Sequence, residues 1–193
     1  MTVTPADAEP PSTIGRTPAP ATSADLGKAG ALLQAMGLAE RNAHATACRI
    51  PSAHLRVQLR EIRRTNAEQL RELVGVHGWP TPGLVGTQAA TDAVRILLAC
   101  EDPGLQIHCR DLMKLALDSG ELPEILYAYV ADTCDVALSI PQTYGTKVNP
   151  LTLRPYPVKD VDAAERMRAD IGLVPLAQQT GVDLRGAAER SGA

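Results

Sequence analysis

The stretch TQAATDAVRILLACEDPGLQIHCRDLMKLALDSG, residues 87–120, decides the fold, because it predicts two amphipathic helices in succession. Asp102 and Pro103 separate them as a helix cap and a first helical residue, and Gly120 ends the second. A third helix is predicted from Pro123 to about Ala137. The apolar positions of the three helices recur every three or four residues: Ala89, Ala93, Ile96, Leu97 and Cys100, then Leu105, Cys109, Leu112, Met113 and Ala116, then Leu126, Val130 and Cys134. Short links between three such helices predict a mainly α fold, a multi-helix bundle.

The sequence before this core predicts further helices. One starts near Asp25, with Ser23 or Asp25 as its cap, and stops at Gly37; a second runs from Ala39 to Arg49. In the next helical run, residues 52–78, a Thr65 to Glu68 capping box indicates that one helix stops near Arg64 and another begins at Asn66. Alternatively the run bends locally at that point, because both halves are strong helix formers.

Four prolines interrupt the helical pattern after residue 140. TYGTKV and LTLRPYP form either an irregular segment or a short hairpin near residues 142–158. A last helix runs from Val161 to about Ile171 and stops at Gly172. We therefore expect one helical domain over residues 24–180, a disordered Pro- and Ala-rich tail over 1–23 and a loose tail over 181–193.

Composition excludes several classes of function. The formal charge of the chain is -3 and its basic residues are scattered, so we expect no nucleic-acid partner. The N-terminus lacks the pattern of a signal peptide, and no apolar run reaches the length of a membrane span, so we expect a cytoplasmic protein without a membrane partner. The four cysteines are then reduced and packed as small apolar side chains.

Motifs of cofactor and nucleophile chemistry are missing. No short Cys or His pair has the spacing of a zinc site, and we expect no metal. Neither phosphate-binding glycine motif occurs, and there is no G-x-S-x-G nucleophile motif, so we expect no nucleotide and no other cofactor.

A set of polar residues at helix ends and in loops remains as the candidate site. His77 has the chemistry of a general acid or base near neutral pH, and Asp132 could orient it. The structural alternatives are that His77 covers the last carbonyls of its helix and that Asp132 is solvated. The other candidates are Tyr144 as a third catalytic residue, and Trp79, Gln106, Gln142 and Thr146 as substrate-binding residues.

IPQTYGTK, residues 140–147, is open to two interpretations. As a functional loop it presents the phenol of Tyr144 and the amide of Gln142 to a ligand. As a structural turn, it uses Gly145 for an unusual backbone angle while Tyr144 plugs the end of the bundle and Gln142 ties off backbone groups.

Several of these motifs, in order, resemble a bacterial family known as domain of unknown function 6624. They are HGWPTPGLVG, DPGLQ, YAYVADT, QTYGTK and IGLVPL, over roughly residues 60–176. Matching positions are His77, Gly78, Trp79, Pro80, Gly86, Gln106, Asp132, Gln142, Tyr144, Gly145 and Thr146. The chain departs from the family pattern at residues 99–101, where a second His would fall, at Thr133 in place of Arg and at Lys147 in place of Gln. The resemblance implies a ligand or catalytic site, and the lost His and Arg imply either altered chemistry or none.

Two functions fit these residues. The first is a metal-independent enzyme that acts on a small organic molecule, in which His77, Asp132 and Tyr144 perform acid–base chemistry in a polar pocket. The second is a non-catalytic helical module that binds a ligand or another protein. The enzyme requires His77, Asp132 and Tyr144 to converge.

Overall fold

The computed structural model describes residues 22–152 and 154–180, and in these it shows a helical bundle. It contains α1 (Ser23–Arg49), α2 (Ala53–His77), α3 (Pro82–Val85), α4 (Thr87–Ala99), α5 (Pro103–Asp118), α6 (Glu124–Ala137), α7 (Val161–Asp170) and α8 (Leu176–Thr180). The mainly α prediction is confirmed. Of the predicted tails, 1–23 and 181–193, residues 1–21 and 181–193 lie outside the described residues, and Ser23 begins α1.

The three central helices begin where the sequence predicts. The side chain of Asp102 accepts a hydrogen bond from Leu105 N at 2.9 Å and caps α5, and Pro103 is its first residue. Pro123 precedes α6, and Gly120 takes a φ of 75° in the link between them. Helix α4 lies at the centre of the bundle, in contact with α1, α2, α3, α5 and α6. Its buried face is rich in alanine, which lets the neighbouring helices pack closely against it.

The first two helices are longer than predicted. Gly37 does not end a helix, and α1 runs unbroken from Ser23, with Thr22 as its cap, to Arg49. A Cβ atom on Gly37 would lie 2.7 Å from Cγ of Asp92 on α4, so this glycine permits a close approach between helices. The predicted break at Arg64 is wrong too, because α2 is continuous through Thr65 and Asn66. Asn66 is buried there, with its amide donating to the carbonyl of Met36 on α1 at 3.3 Å.

The segment after α6 is irregular, and isolated β-bridges join its first half to its second half. Val148 forms an antiparallel bridge with Pro155, as in the predicted hairpin, and Gln142 forms a parallel bridge with Val158. Helix α7 follows, capped by Asp160 through a 2.9 Å hydrogen bond from Ala163 N. Within the described residues, no helix combines the length and apolarity that crossing a membrane requires.

Candidate functional site

Asp132 is the centre of the candidate site and is fully buried on α6. Its Oδ1 accepts hydrogen bonds from the backbone N–H groups of Thr143 and Tyr144, at 2.9 and 3.0 Å. Its Oδ2 accepts from the backbone N–H and the hydroxyl of Thr146, at 2.7 and 2.9 Å. Both carboxylate oxygens are therefore occupied by the loop at residues 143–146, which we name the Asp132 loop.

Gln142 holds the start of the Asp132 loop and is also fully buried. Its amide nitrogen donates to the carbonyls of Lys147 and Tyr156, at 3.1 and 3.0 Å, and its amide oxygen accepts from Lys147 N at 2.7 Å. The side chain thus ties together backbone groups that no regular helix or sheet satisfies. This is the arrangement that the structural interpretation of QTYGTK predicts.

Tyr144 is buried against α6, and its hydroxyl donates to Oε1 of Glu124 at 2.8 Å. Desolvation, together with the bond to Glu124, raises the pKa of the Tyr144 phenol. A phenol in this state is a poor base near neutral pH. The environment therefore keeps Tyr144 protonated and engaged with a partner inside the protein.

Gly145 lets the Asp132 loop pass close to α8. Its φ of 70° lies in the left-handed region, and a Cβ atom there would lie 2.5 Å from Cδ2 of Leu176. The opposite side of the loop is held by Arg168 of α7, which is fully buried. Its Nη1 donates to the carbonyls of Tyr144 and Gly145 at 2.9 and 3.4 Å, and its Nε donates to the carbonyl of Val174 at 2.8 Å.

His77 lies in a different part of the molecule, as the last residue of α2. It lines an open groove of about 620 Å³ between α1 and α2, and neither Asp132 nor Tyr144 lines that groove. Asp25 of α1 lies in the same groove, where the hydroxyl and backbone of Thr22, then Lys28 and His77, lower the pKa of the Asp25 carboxyl. His77 thus lies in the same groove as the start of α1.

The two remaining candidates are buried in the helical core. The amide nitrogen of Gln106 donates to the carbonyls of Leu97 and Cys100, both at 3.1 Å, and so completes the end of α4. Trp79 packs in the main apolar cluster, and its Nε1 is buried without a hydrogen-bond partner among the described residues. The structure thus brings Asp132, Gln142, Tyr144 and Thr146 together, and it places His77 in a separate groove.

Two residues that sequence reasoning did not select, Arg168 and Glu124, complete the surroundings of the loop. Arg168 lies one helical turn after the buried Ala164, so a basic residue on the apolar face of α7 was the available signal. Glu124, in the first turn of α6, has the pattern of a residue that stabilises a helix start, and the sequence does not indicate its bond to Tyr144.

Three of the four cysteines are buried, and all four are free thiols. Desolvation raises the pKa of Cys109 to about 12 and that of Cys134 to about 11. In the part of the chain that the structure describes, no three His, Cys, Asp or Glu side chains form a group that could hold a metal ion.

Comparison with known proteins places the chain in one family. The model of the family of unknown function DUF6624 matches residues 31–185, which is most of the chain, so the chain belongs to this family. The match extends beyond the region over which the sequence motifs resemble that family. No curated protein and no solved structure matches the chain.

Proposed function

We propose that this member of the DUF6624 family is a non-catalytic helical module that acts by binding another molecule. One observation carries the proposal: the carboxylate of Asp132 accepts four hydrogen bonds from the Asp132 loop. A carboxylate has about four lone-pair sites, and the loop fills four at Asp132, so none is left to position a catalytic histidine. Here the groups that sequence analysis selected for chemistry hold the fold together.

The bonding of the other candidates supports the same function. The Tyr144 hydroxyl is bound to Glu124, and the Gln142 and Gln106 amides are bound to backbone groups. His77 lies in the groove between α1 and α2, away from this cluster. The catalytic hypothesis built on His77, Asp132 and Tyr144 stays a prediction, as does the cytoplasmic location.

A second groove supplies a place for a small ligand. It encloses about 380 Å³ along α2, a volume within the range of small-molecule sites. Its charged lining consists of four arginines, Arg60, Arg63, Arg64 and Arg71, and four carboxylates, Glu61, Glu68, Glu101 and Asp102. Arg64 and Arg71 are paired with carboxylates of the same groove, whereas Arg60 forms no ion pair within the described residues. Guanidinium groups bind carboxylate and phosphate in two-point geometry, so the ligand class that we propose is a small organic acid or phosphate ester.

The test is a thermal-shift screen of the purified chain against small carboxylates and phosphate esters, with each hit then checked for chemical conversion. A binding module predicts a hit that is recovered unchanged. Arg60→Gln abolishes its shift, Arg154→Gln, an exposed substitution of the same type, retains it, and Tyr144→Phe lowers the melting temperature but keeps the shift. A metabolite that is converted by the parent protein and not by His77→Ala overturns the proposal and establishes the catalytic hypothesis.

A further inference from the structure

The helices α1 and α2 share a long outer face that is chemically unlike the rest of their surface. Two open grooves lie along it, one of about 620 Å³ at the start of α1 and one of about 550 Å³ near the link to α2. The residues of both grooves fall on one side of each helix by their spacing of three, four and seven residues. They therefore share one side of the helix pair, which we name the α1–α2 outer face.

Apolar side chains occur at both ends of this face. Leu32 and Val76 lie at the end near the start of α1, and Val76 is 65% exposed. Leu55 and Ile62 line the groove near the link, where Ile50, 52% exposed, follows α1. Single exposed apolar residues are ordinary, but an aligned set along two adjacent helices marks an interaction surface.

The groove near the link carries one charged residue, Glu61, among the polar residues Asn42, Thr46 and Gln58. The groove at the start of α1 carries Asp25, Lys28 and Glu72 beside Gln69. The adjacent side of α2, which carries Arg60, Glu61, Arg64, Glu68 and Arg71, is densely charged. The outer face is therefore less densely charged than the adjacent side of α2, and a low density of charge is typical of the central part of a protein interface.

We propose that the α1–α2 outer face binds the same face of a second copy of the chain in an antiparallel, two-fold arrangement. The four helices would form a bundle in which the end of one copy that carries Val76 meets the end of the other that carries Ile50. The inference concerns α1 and α2 alone, and it goes beyond the proposed function because an enzyme or a binding module could form such a dimer.

Charge at the two ends of the face favours a second copy as the occupant. At the end near the link, Arg49 lies in the last turn of α1. The opposite end carries Asp25 and Glu72 beside Lys28. Arg49 and Glu72 are exposed, and neither forms an ion pair within the described residues. A two-fold axis places Arg49 of each copy next to Glu72 of the other, so the interface contains two such ion pairs.

The size of the face is sufficient for a dimer. A helix of 25 residues such as α2 is about 37 Å long, and two helices 8–10 Å apart present a width of roughly 18 Å. Each copy thus contributes on the order of 700 Å², close to the area per partner in a stable protein interface.

Sedimentation equilibrium of the full chain tests the inference. We expect a species of twice the 20.4 kDa chain mass in the micromolar range, and Val76→Glu should weaken the dimer at least tenfold. Val57→Glu is the matched control, since Val57 is also exposed on α2 but lines the charged groove. Arg49→Glu should weaken the dimer, and adding Glu72→Arg should restore it.

Circular dichroism and thermal melting of each variant confirm that it is folded before its mass is interpreted. A parent chain that stays monomeric at several hundred micromolar overturns the proposal. It is also overturned if Val57→Glu dissociates the dimer as strongly as Val76→Glu, because the interface would then lie elsewhere. None of these outcomes depends on ligand binding, so this inference and the proposed function can fail separately.

Discussion

Asp132 and Arg168 bind the backbone of the same loop residue, Tyr144, one at its N–H and the other at its carbonyl. The N–H of Tyr144 donates to Oδ1 of Asp132 at 3.0 Å, and its carbonyl accepts from Nη1 of Arg168 at 2.9 Å. The acidic side chain comes from α6 and the basic one from α7, so the loop is held between the helix that precedes it and the helix that follows it. Each charge is buried, and each is stabilised by the peptide groups that it binds.

Replacing Asp132 by Asn should destabilise the protein. An amide has one acceptor oxygen, so its NH₂ group must face N–H donors of the loop that an oxygen now satisfies. We expect a loss of about 2–4 kcal/mol in the free energy of unfolding, measured by urea denaturation. Asp118→Asn, an exposed change of the same kind on α5, should cost about 0.5 kcal/mol or less.

An Asp132→Asn protein that is as stable as the parent would contradict the structural role of this residue. If that variant also lost a chemical activity, Asp132 would be a catalytic group, and the proposed function would be wrong. Stability and activity must therefore be measured on the same preparation.

Replacing Arg168 by Lys should loosen the other side of the loop. The planar guanidinium reaches the carbonyls of Tyr144, Gly145 and Val174 at once, whereas an ammonium is a single point of charge. We expect the variant to lose about 2–3 kcal/mol and to exchange the amide hydrogens of residues 143–146 faster. Arg166→Lys, exposed on the same helix, should leave both the stability and the exchange unchanged.

The sequence predicted the central helices well because their signals are local. A cap at Asp102, a proline at 103 and regular apolar spacing act within a few residues of each other. Gly37 and Thr65 carry equally local signals for a helix end, yet both lie inside continuous helices. At Gly37 the deciding factor is the side chain of Asp92 on another helix, and no local pattern reports it.

In the candidate site, too, the sequence predicted which residues lie together but not the contacts that they make. Asp132, Gln142, Tyr144 and Thr146 were predicted to act together, and they lie together. Their use as internal hydrogen-bonding groups depends on which backbone groups the irregular loop leaves unsatisfied, and sequence spacing does not specify those groups. His77 was assigned to the same cluster from its residue type, its place at a helix end and the family resemblance, and the structure places it in the same groove as Asp25 instead.

The contact between α1 and α4 predicts a large difference between two glycine substitutions in one helix. Gly37→Ala would place a Cβ atom 2.7 Å from Cγ of the buried Asp92, which must then move from Arg41 and Gln88. We expect a loss of about 2–3 kcal/mol, because overpacking here also disturbs the hydrogen bonds and the partly buried ion pair of Asp92. Gly27→Ala, with no atom within 4 Å, should gain up to about 1 kcal/mol from helix propensity.

Thermal melting of both glycine variants checks this prediction. Similar gains in both would show that α1 and α4 can separate without cost, and so that the close approach at Gly37 does not hold them together.

The buried thiols predict that stability falls in mild alkali. Burial raises the pKa of Cys109 to about 12 and that of Cys134 to about 11, whereas an unfolded thiol has a pKa of about 8.5. Below pH 8.5 both states hold the proton, so this contribution is fully present; above it only the unfolded state loses the proton. Above pH 8.5 each such thiol should lower the free energy of unfolding by about 1.4 kcal/mol per pH unit, until its folded pKa is reached.

Urea denaturation from pH 7 to 10 under a reducing agent measures how steeply the free energy of unfolding falls with pH. Cys109→Ala should make this slope shallower, whereas replacing the exposed Cys48 should not. Equal slopes in the parent and Cys109→Ala would show that the Cys109 thiol ionises as readily in the folded protein as in the unfolded chain.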